Sequence, residues 1–172
     1  MNHILKIIAS FKIFLIEVGE LSYFTIRFFK EIVKRPFEFK EFLRQCYQIG
    51  YRSLLLVAVT GFIIGLVFTL QSRPTLQNFG AVSWMPSMVS ISIIREIGPI
   101  ITALICAGRI GSGIGAEIGS MRVTEQIDAM EVSGTNPFKY LVVTRIAATT
   151  LMIPILVFFG DTIAIFGSAL VE

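Results

Sequence analysis

The chain is predicted to be an all-α integral membrane protein: an N-terminal interfacial amphipathic helix, about three transmembrane helices and a short cytoplasmic helix. Three observations predict it. Of 172 residues, 54% are hydrophobic and only 16% charged, where a soluble domain carries about a quarter charged. Mean hydropathy is +0.76. An uncharged stretch, "SLLLVAVTGFIIGLVFTLQS" at 53–72, has about the length a helix needs to cross the hydrocarbon core.

Composition also excludes function classes. The net charge is +3 with scattered basic residues, which gives no nucleic-acid footprint. Cys46 and Cys106 stand alone in apolar settings and read as packing residues rather than a disulfide, metal or redox pair. The one histidine, His3, leaves little room for zinc chemistry or a Ser-His or Cys-His nucleophile. No cofactor is expected.

The elements follow in order. Residues 3–34 carry too many charges for a span, and Lys6, Lys12, Glu17, Glu20, Arg27 and Lys30 leave no signal-peptide core. Ser10, Glu17, Glu20, Arg27 and Lys34 share a face opposite Ile, Leu and Phe, the pattern of a helix lying in the membrane interface. A signal-anchor span is the competing reading. "KRP" at 34–36 should end this helix, and a short amphipathic piece at 37–49 should lead into the membrane. The chain thus divides into interfacial helices at 1–49 and a membrane domain at 50–172. Its spans are expected at 53–72, 88–119 and from 138 to 160 or beyond. "RPTLQNFGAVSWMP" after the first span reads as an external loop. Lys30, Lys34, Arg35, Lys40, Arg44 and Arg52 precede the first span and only Arg73 closely follows it. By the positive-inside rule the N-terminal side is cytoplasmic.

Two features carry functional information. In the second span Ala103, Ala107, Gly111, Gly115 and Gly119 recur every four residues, a stripe that lets membrane helices approach closely, within the subunit or between copies. "GRIGSGIG" in the same span lacks the Lys-Ser/Thr and the preceding strand of a phosphate loop. Arg95, Glu96, Arg109 and Glu117 lie in or near the membrane zone, where ionisable groups face a partner or a water-filled cavity. Arg95 and Glu96, before a kink expected at Gly98-Pro99, either receive a polar head group or anchor the helix at the interface. Arg109 and Glu117 are expected to pair with each other.

The second feature is "MRVTEQIDAMEVSG" at 121–134. A helix at 124–133 would place Glu125, Asp128 and Glu131 on one arc and Val123, Ile127 and Met130 on the other. Thr124 is its expected N-cap, the acidic residues suit the positive end of the helix dipole, and Gly134 with Asn136-Pro137 should end it. An acidic rather than basic rim favours a groove on a cytoplasmic protein over a membrane surface.

The stretch "REIGPIITALICAGRIGSGIGAEIGSMRVTEQIDAMEVSGTNPFKYLVVTRIAA" at 95–148 closely resembles the core of the MlaE (YrbE) permeases, and a weaker likeness runs from about 50 to 168. Several things follow from that resemblance. Such a permease works as a homodimer in a bacterial inner membrane, with an ABC ATPase subunit that binds ATP in its place. It moves phospholipid or another lipid between the membrane and an MCE-domain carrier, which maintains outer-membrane lipid asymmetry. Residues Thr124, Glu125, Gln126, Ile127, Asp128, Met130 and Glu131 match the coupling helix that seats on the ATPase. Arg95 and Glu96 match a polar pair near a lipid cavity between the two copies. The family has five spans, so about two are expected to lie beyond this stretch, in a longer frame or another chain. Asp161 is either at the outer interface or, if the third helix continues, a buried acid needing a partner. A membrane lipid enzyme and a non-transporting scaffold for a cytoplasmic partner are the alternatives. The first lacks a catalytic constellation. A lipid-dependent change in the partner's ATPase rate separates transporter from scaffold.

Overall fold

The computed structural model describes residues 2–34 and 38–171, with side chains from residue 12 onward. The first helix, α1 (Asn2–Val33), fits the amphipathic reading. The break expected at 34–36 falls mostly outside the described residues. Near the end of α1, the ammonium of Lys34 stands 2.8 Å from Glu31 and holds its carboxyl below the usual range.

The second helix, α2 (Phe39–Asn78), is one uninterrupted helix of 40 residues, not a short piece followed by a span. It also runs through Pro74 and consumes the start of the loop expected after residue 72. Proline removes a single backbone bond, and near a helix end few later bonds depend on it. The stop comes at Gly80, with φ +66°. There Ala81 N–H donates to Leu76 O at 2.9 Å and Gly80 N–H to Gln77 O at 3.1 Å, the paired bonds of a Schellman ending that needs a left-handed residue. The chain then re-enters through a 3-10 turn (Val82–Trp84) and α3 (Met85–Ser92).

A π turn (Ile93–Ile97) joins α3 to α4 (Gly98–Val123). Pro99 has no N–H for the carbonyl four residues back, so the ladder changes register and Gly98 N–H donates to Ile93 O. After α5 (Gln126–Val132), a second π turn (Phe138–Val143) leads into α6 (Thr144–Ala169). Three stretches are long and apolar enough to cross a membrane: Phe39–Asn78, Val82–Val123 and Phe138–Ala169. Their order agrees with the three predicted spans, and α1 is not among them.

Helix α2 packs chiefly on α6, with α4 against both. The close seam is not the predicted one. Ala103, Ala107, Gly111, Gly115 and Gly119 are all exposed, and a Cβ at any of the three glycines would meet nothing within 4 Å. A seam within the subunit is therefore not formed by that stripe among the described residues. It is formed instead by Gly61 and Gly65 of α2 against Gly160, Ala164 and Gly167 of α6. A Cβ on Gly61 would stand 2.9 Å from Gly160 O, one on Gly167 2.7 Å from Phe62 O, and one on Gly65 would collide with Ala164 O. Lipid offers apolar side chains the same environment as protein, so such backbone proximity is what holds membrane helices together.

Two apolar clusters flank this seam. One gathers Cys46, Ile49, Cys106, Ile110, Ala148 and Leu156. The other gathers Leu76, Met85, Val89, Ile93 and Ala164. Both cysteines are free and buried, as packing residues would be. Helix α6 continues past Gly160, so Asp161 lies inside it, 8% exposed, its carboxylate against Gly98. Its Oδ1 has no hydrogen-bond partner among the described residues.

Candidate functional site

Helix α4 ends and α5 begins with almost nothing between them. Thr124 is not the N-cap of α5: its hydroxyl donates back to Ser120 O at 2.8 Å, which makes it the C-cap of α4. A β-hydroxyl within reach of the carbonyl four residues earlier competes for the same role. The corner falls on Glu125, at φ +57°, the one non-glycine residue with positive φ among those described. It takes the left-handed place that usually holds glycine or asparagine after a helix, and its side chain makes no cap bond.

Beyond this corner, α5 has the expected two faces. Glu125, Gln126, Asp128 and Glu131 are exposed, while Ile127 and Met130 are half-buried. Val123 does not join the inner face: it is 85% exposed, and Val132 is 90% exposed. The helix thus presents an acidic surface bracketed by two bare apolar side chains. Arg122 Nη1 lies 2.6 Å from Asp128 Oδ1 and pins α5 back to the end of α4. The C-terminal stop is as expected. Thr135 N–H donates to Met130 O and Gly134 N–H to Glu131 O, each at 3.0 Å, with Gly134 at φ +78°. Asn136 Oδ1 then accepts from the N–H groups of Phe138 and Lys139 at 3.1 and 3.4 Å and caps the next helix behind Pro137.

The segment after α5 is where α1 docks. Phe24 meets Phe138 edge-on with centroids 5.2 Å apart, and Arg27 sits 4.3 Å over the same ring. Lys139 Nζ donates to Lys34 O. So α1 and α5 share one end of the bundle.

The charges of the second span separate into three settings. Arg109 and Glu117 do not pair with each other. Arg109 Nη1 donates to Ser53 Oγ on α2 at 3.2 Å, whereas Glu117 Oε2 takes the buried Arg145 Nη2 of α6 at 2.9 Å. Eight residues on an α-helix span about 12 Å, too far for two side chains that each have a nearer partner on another helix. Arg145 also donates to Leu141 O at 3.1 Å. Together these bonds tie α4 to both α2 and α6. Arg95 and Glu96 are exposed on the π turn and enclosed by nothing among the described residues. One turn before them, Ser92 lines a cavity of about 320 Å³ between α2 and α3, with Gln71, Ser72 and Thr75 among its walls. The described residues hold no cluster of three His, Cys, Asp or Glu placed for a metal ion.

Sequence reasoning missed the Glu117–Arg145 pair and the α2/α6 seam. The seam had a signal, the four-residue spacing of Gly61 and Gly65. The ion pair had none, because its partners are separated by two turns of chain reversal.

The Permease MlaE family profile matches residues 42–172. A probable ABC transporter permease of Rickettsia felis is 42% identical over 154 residues, which are 90% of this chain and 60% of that protein. A probable ABC transporter permease of Synechocystis is 39% identical over 134 residues, 78% of this chain and 51% of its own. The intermembrane phospholipid transport system permease protein MlaE of Haemophilus influenzae is 36% identical over 129 residues, 75% of this chain and 49% of its own. The chain spans about 60% of the length of the Rickettsia relative.

Proposed function

The chain belongs to the MlaE permease family, and from that premise we propose that it is the membrane part of an ABC transporter moving phospholipid, with ATP bound and hydrolysed by a partner subunit. It is a multi-pass membrane protein by its three long apolar helices and its permease relatives. The proposal adds a bacterial inner membrane with α1 and α5 on the cytoplasmic side, a second copy of the permease, an MCE-domain carrier that exchanges lipid with it, and a part in outer-membrane lipid asymmetry. The name of the Haemophilus relative supports phospholipid as cargo.

The observation that carries this reading is the corner at Glu125. A seven-residue helix is too short to be stable alone. Yet it is held at the end of α4 by a left-handed residue and the Arg122–Asp128 pair, with its acidic face and two valines bare. That is a rigid knob on a long lever, as a coupling helix has to be. Helix α4 extends roughly 39 Å from this knob to the π turn. Closure of two ATPase subunits would push α5, and α4 would pass the displacement to Arg95 and Glu96. These residues would hold a lipid head group in a cavity shared with the second copy.

The test is co-purification of the chain with the ABC ATPase encoded beside it. Glu125→Lys/Asp128→Lys is expected to lose the ATPase while remaining inserted in the membrane, and Val132→Asp to weaken capture in the same direction. Retention of the ATPase by the charge-reversed chain would remove α5 as the coupling element.

A further inference from the structure

The ladder of polar residues between α2 and α4 has no role in the reading above. Gln45, Gln48, Arg52 and Ser53 on α2 face Arg109 and Glu117 on α4 across a cleft of about 200 Å³. Residues 45–53 and 109–117 each cover eight steps, about 12 Å of helix, so two antiparallel helices keep their walls in register along the whole cleft.

Its charge balance is positive. Glu117 is the only carboxylate on its wall, and it is committed to Arg145 at 2.9 Å. Arg109 spends one N–H on the buried Ser53 hydroxyl at 3.2 Å, leaving its other donors uncommitted among the described residues. Arg52 is exposed and has no ion pair among the described residues. The depth is equally specific. Arg52 closes the basic N-terminal side and Ser53 opens the uncharged stretch 53–72, so the cleft opens at head-group level on the side of α1 and α5. Two guanidinium groups at that depth match the doubly forked geometry of phosphate oxygens, and basic clefts between membrane helices take anionic head groups. From Arg95 to Arg109 is roughly 21 Å along the helix, which separates this cleft from the polar pair on the π turn.

We propose that the α2/α4 cleft is a phosphate site, built on Arg52 and Arg109, that holds the head group of an anionic phospholipid from the leaflet on the α1/α5 side. A lipid seated there would wedge α4 against α2 beside the Arg109–Ser53 bond. The site stands whether or not the chain transports, because it is read by binding.

The experiment is calorimetric titration of short-chain phosphatidylglycerol into the full chain held in phosphatidylcholine nanodiscs, with inorganic phosphate as the second titrant. Arg52→Gln is expected to weaken phosphatidylglycerol about fivefold and Arg52→Gln/Arg109→Gln about twenty-five-fold. Arg52→Lys/Arg109→Lys should recover only part of the affinity, because an ammonium keeps the charge but not the fork, and Arg73→Gln, exposed near the other end of α2, should keep all of it. Inorganic phosphate that fails to displace the lipid assigns the site to head groups. Inorganic phosphate that binds alone, with the same loss in the variants, keeps the phosphate site but makes a soluble anion its occupant. Arg52→Gln lies on an exposed position that does not support the fold, so unchanged phosphatidylglycerol affinity in that variant and in the double variant overturns the proposal. So does an equal loss in Arg73→Gln, which would make the effect one of net charge alone.

Discussion

Arg145 shows what a single residue can require of its surroundings. It is 2% exposed in an apolar bundle, and its charge is met by Glu117 at 2.9 Å and by Leu141 O at 3.1 Å, while its Nε has no partner among the described residues. Removing one member of such a pair leaves the other charge uncompensated, which costs more than the pair contributes. Glu117 is partly open to solvent, so the penalty is moderated. Glu117→Ala is expected to destabilise the chain by about 2 kcal/mol, visible as a lower melting temperature in detergent. Glu117→Ala/Arg145→Met should recover much of the loss. No recovery in the double variant would mean that Glu117 acts through something other than this charge. Glu125 poses the opposite case, a local strain held by its neighbours. A left-handed non-glycine residue costs on the order of 1 kcal/mol, so Glu125→Gly should raise the melting temperature slightly. The same change should still weaken capture of the ATPase if the carboxylate itself is read by the partner. Equal capture would assign Glu125 a purely geometric role.

At the scale of the helix, backbone proximity decides which faces meet. Gly65 sits where any Cβ would run into Ala164 O, whereas Gly108 has nothing within 4 Å. Gly65→Ala should therefore cost about 2 kcal/mol through overpacking, and Gly108→Ala should be neutral or slightly favourable. Thermal unfolding of the two variants side by side checks this. If both behave alike, α2 and α6 do not meet through this seam. The same contrast explains what was legible in the sequence. The three spans were, because a run of apolar residues long enough to cross a bilayer is a local property. The end of α5 was legible too, since Gly134 and Asn136-Pro137 are stop signals readable in place. What was lost lay between helices. The stripe from Ala103 to Gly119 was as regular as the Gly61–Gly65 step, yet only the latter found a partner among the described residues. Spacing says that a helix can be approached closely, not by what. Likewise, the loop expected from Arg73 begins later, because Pro74 falls in the last turns of α2, where little ladder remains to be broken.

For the molecule as a whole, the question is what faces the exposed small-residue side of α4. Five small residues aligned on one helix, with no Cβ contact at the glycines, form a surface as smooth as the α2/α6 seam but unpaired among the described residues. A smooth face gains from dense packing only if a second backbone lies against it, and lipid tails pack poorly against such a flat stripe. The second permease copy proposed above is one backbone that could meet it, on the same helix that carries α5 at one end and Arg95 and Glu96 at the other. Two levers joined along their length would move together, so that two ATPase subunits act on one cavity. Gly111→Leu/Gly115→Leu should then leave the fold of each copy intact, because a Cβ at either position meets nothing within 4 Å among the described residues, while reducing association between copies. Energy transfer between separately labelled chains in the same bilayer reads that association directly. A marked fall in transfer at unchanged helical content places the stripe at the interface. Undiminished transfer would move the interface to another face and leave α4 to act on each side of the dimer independently.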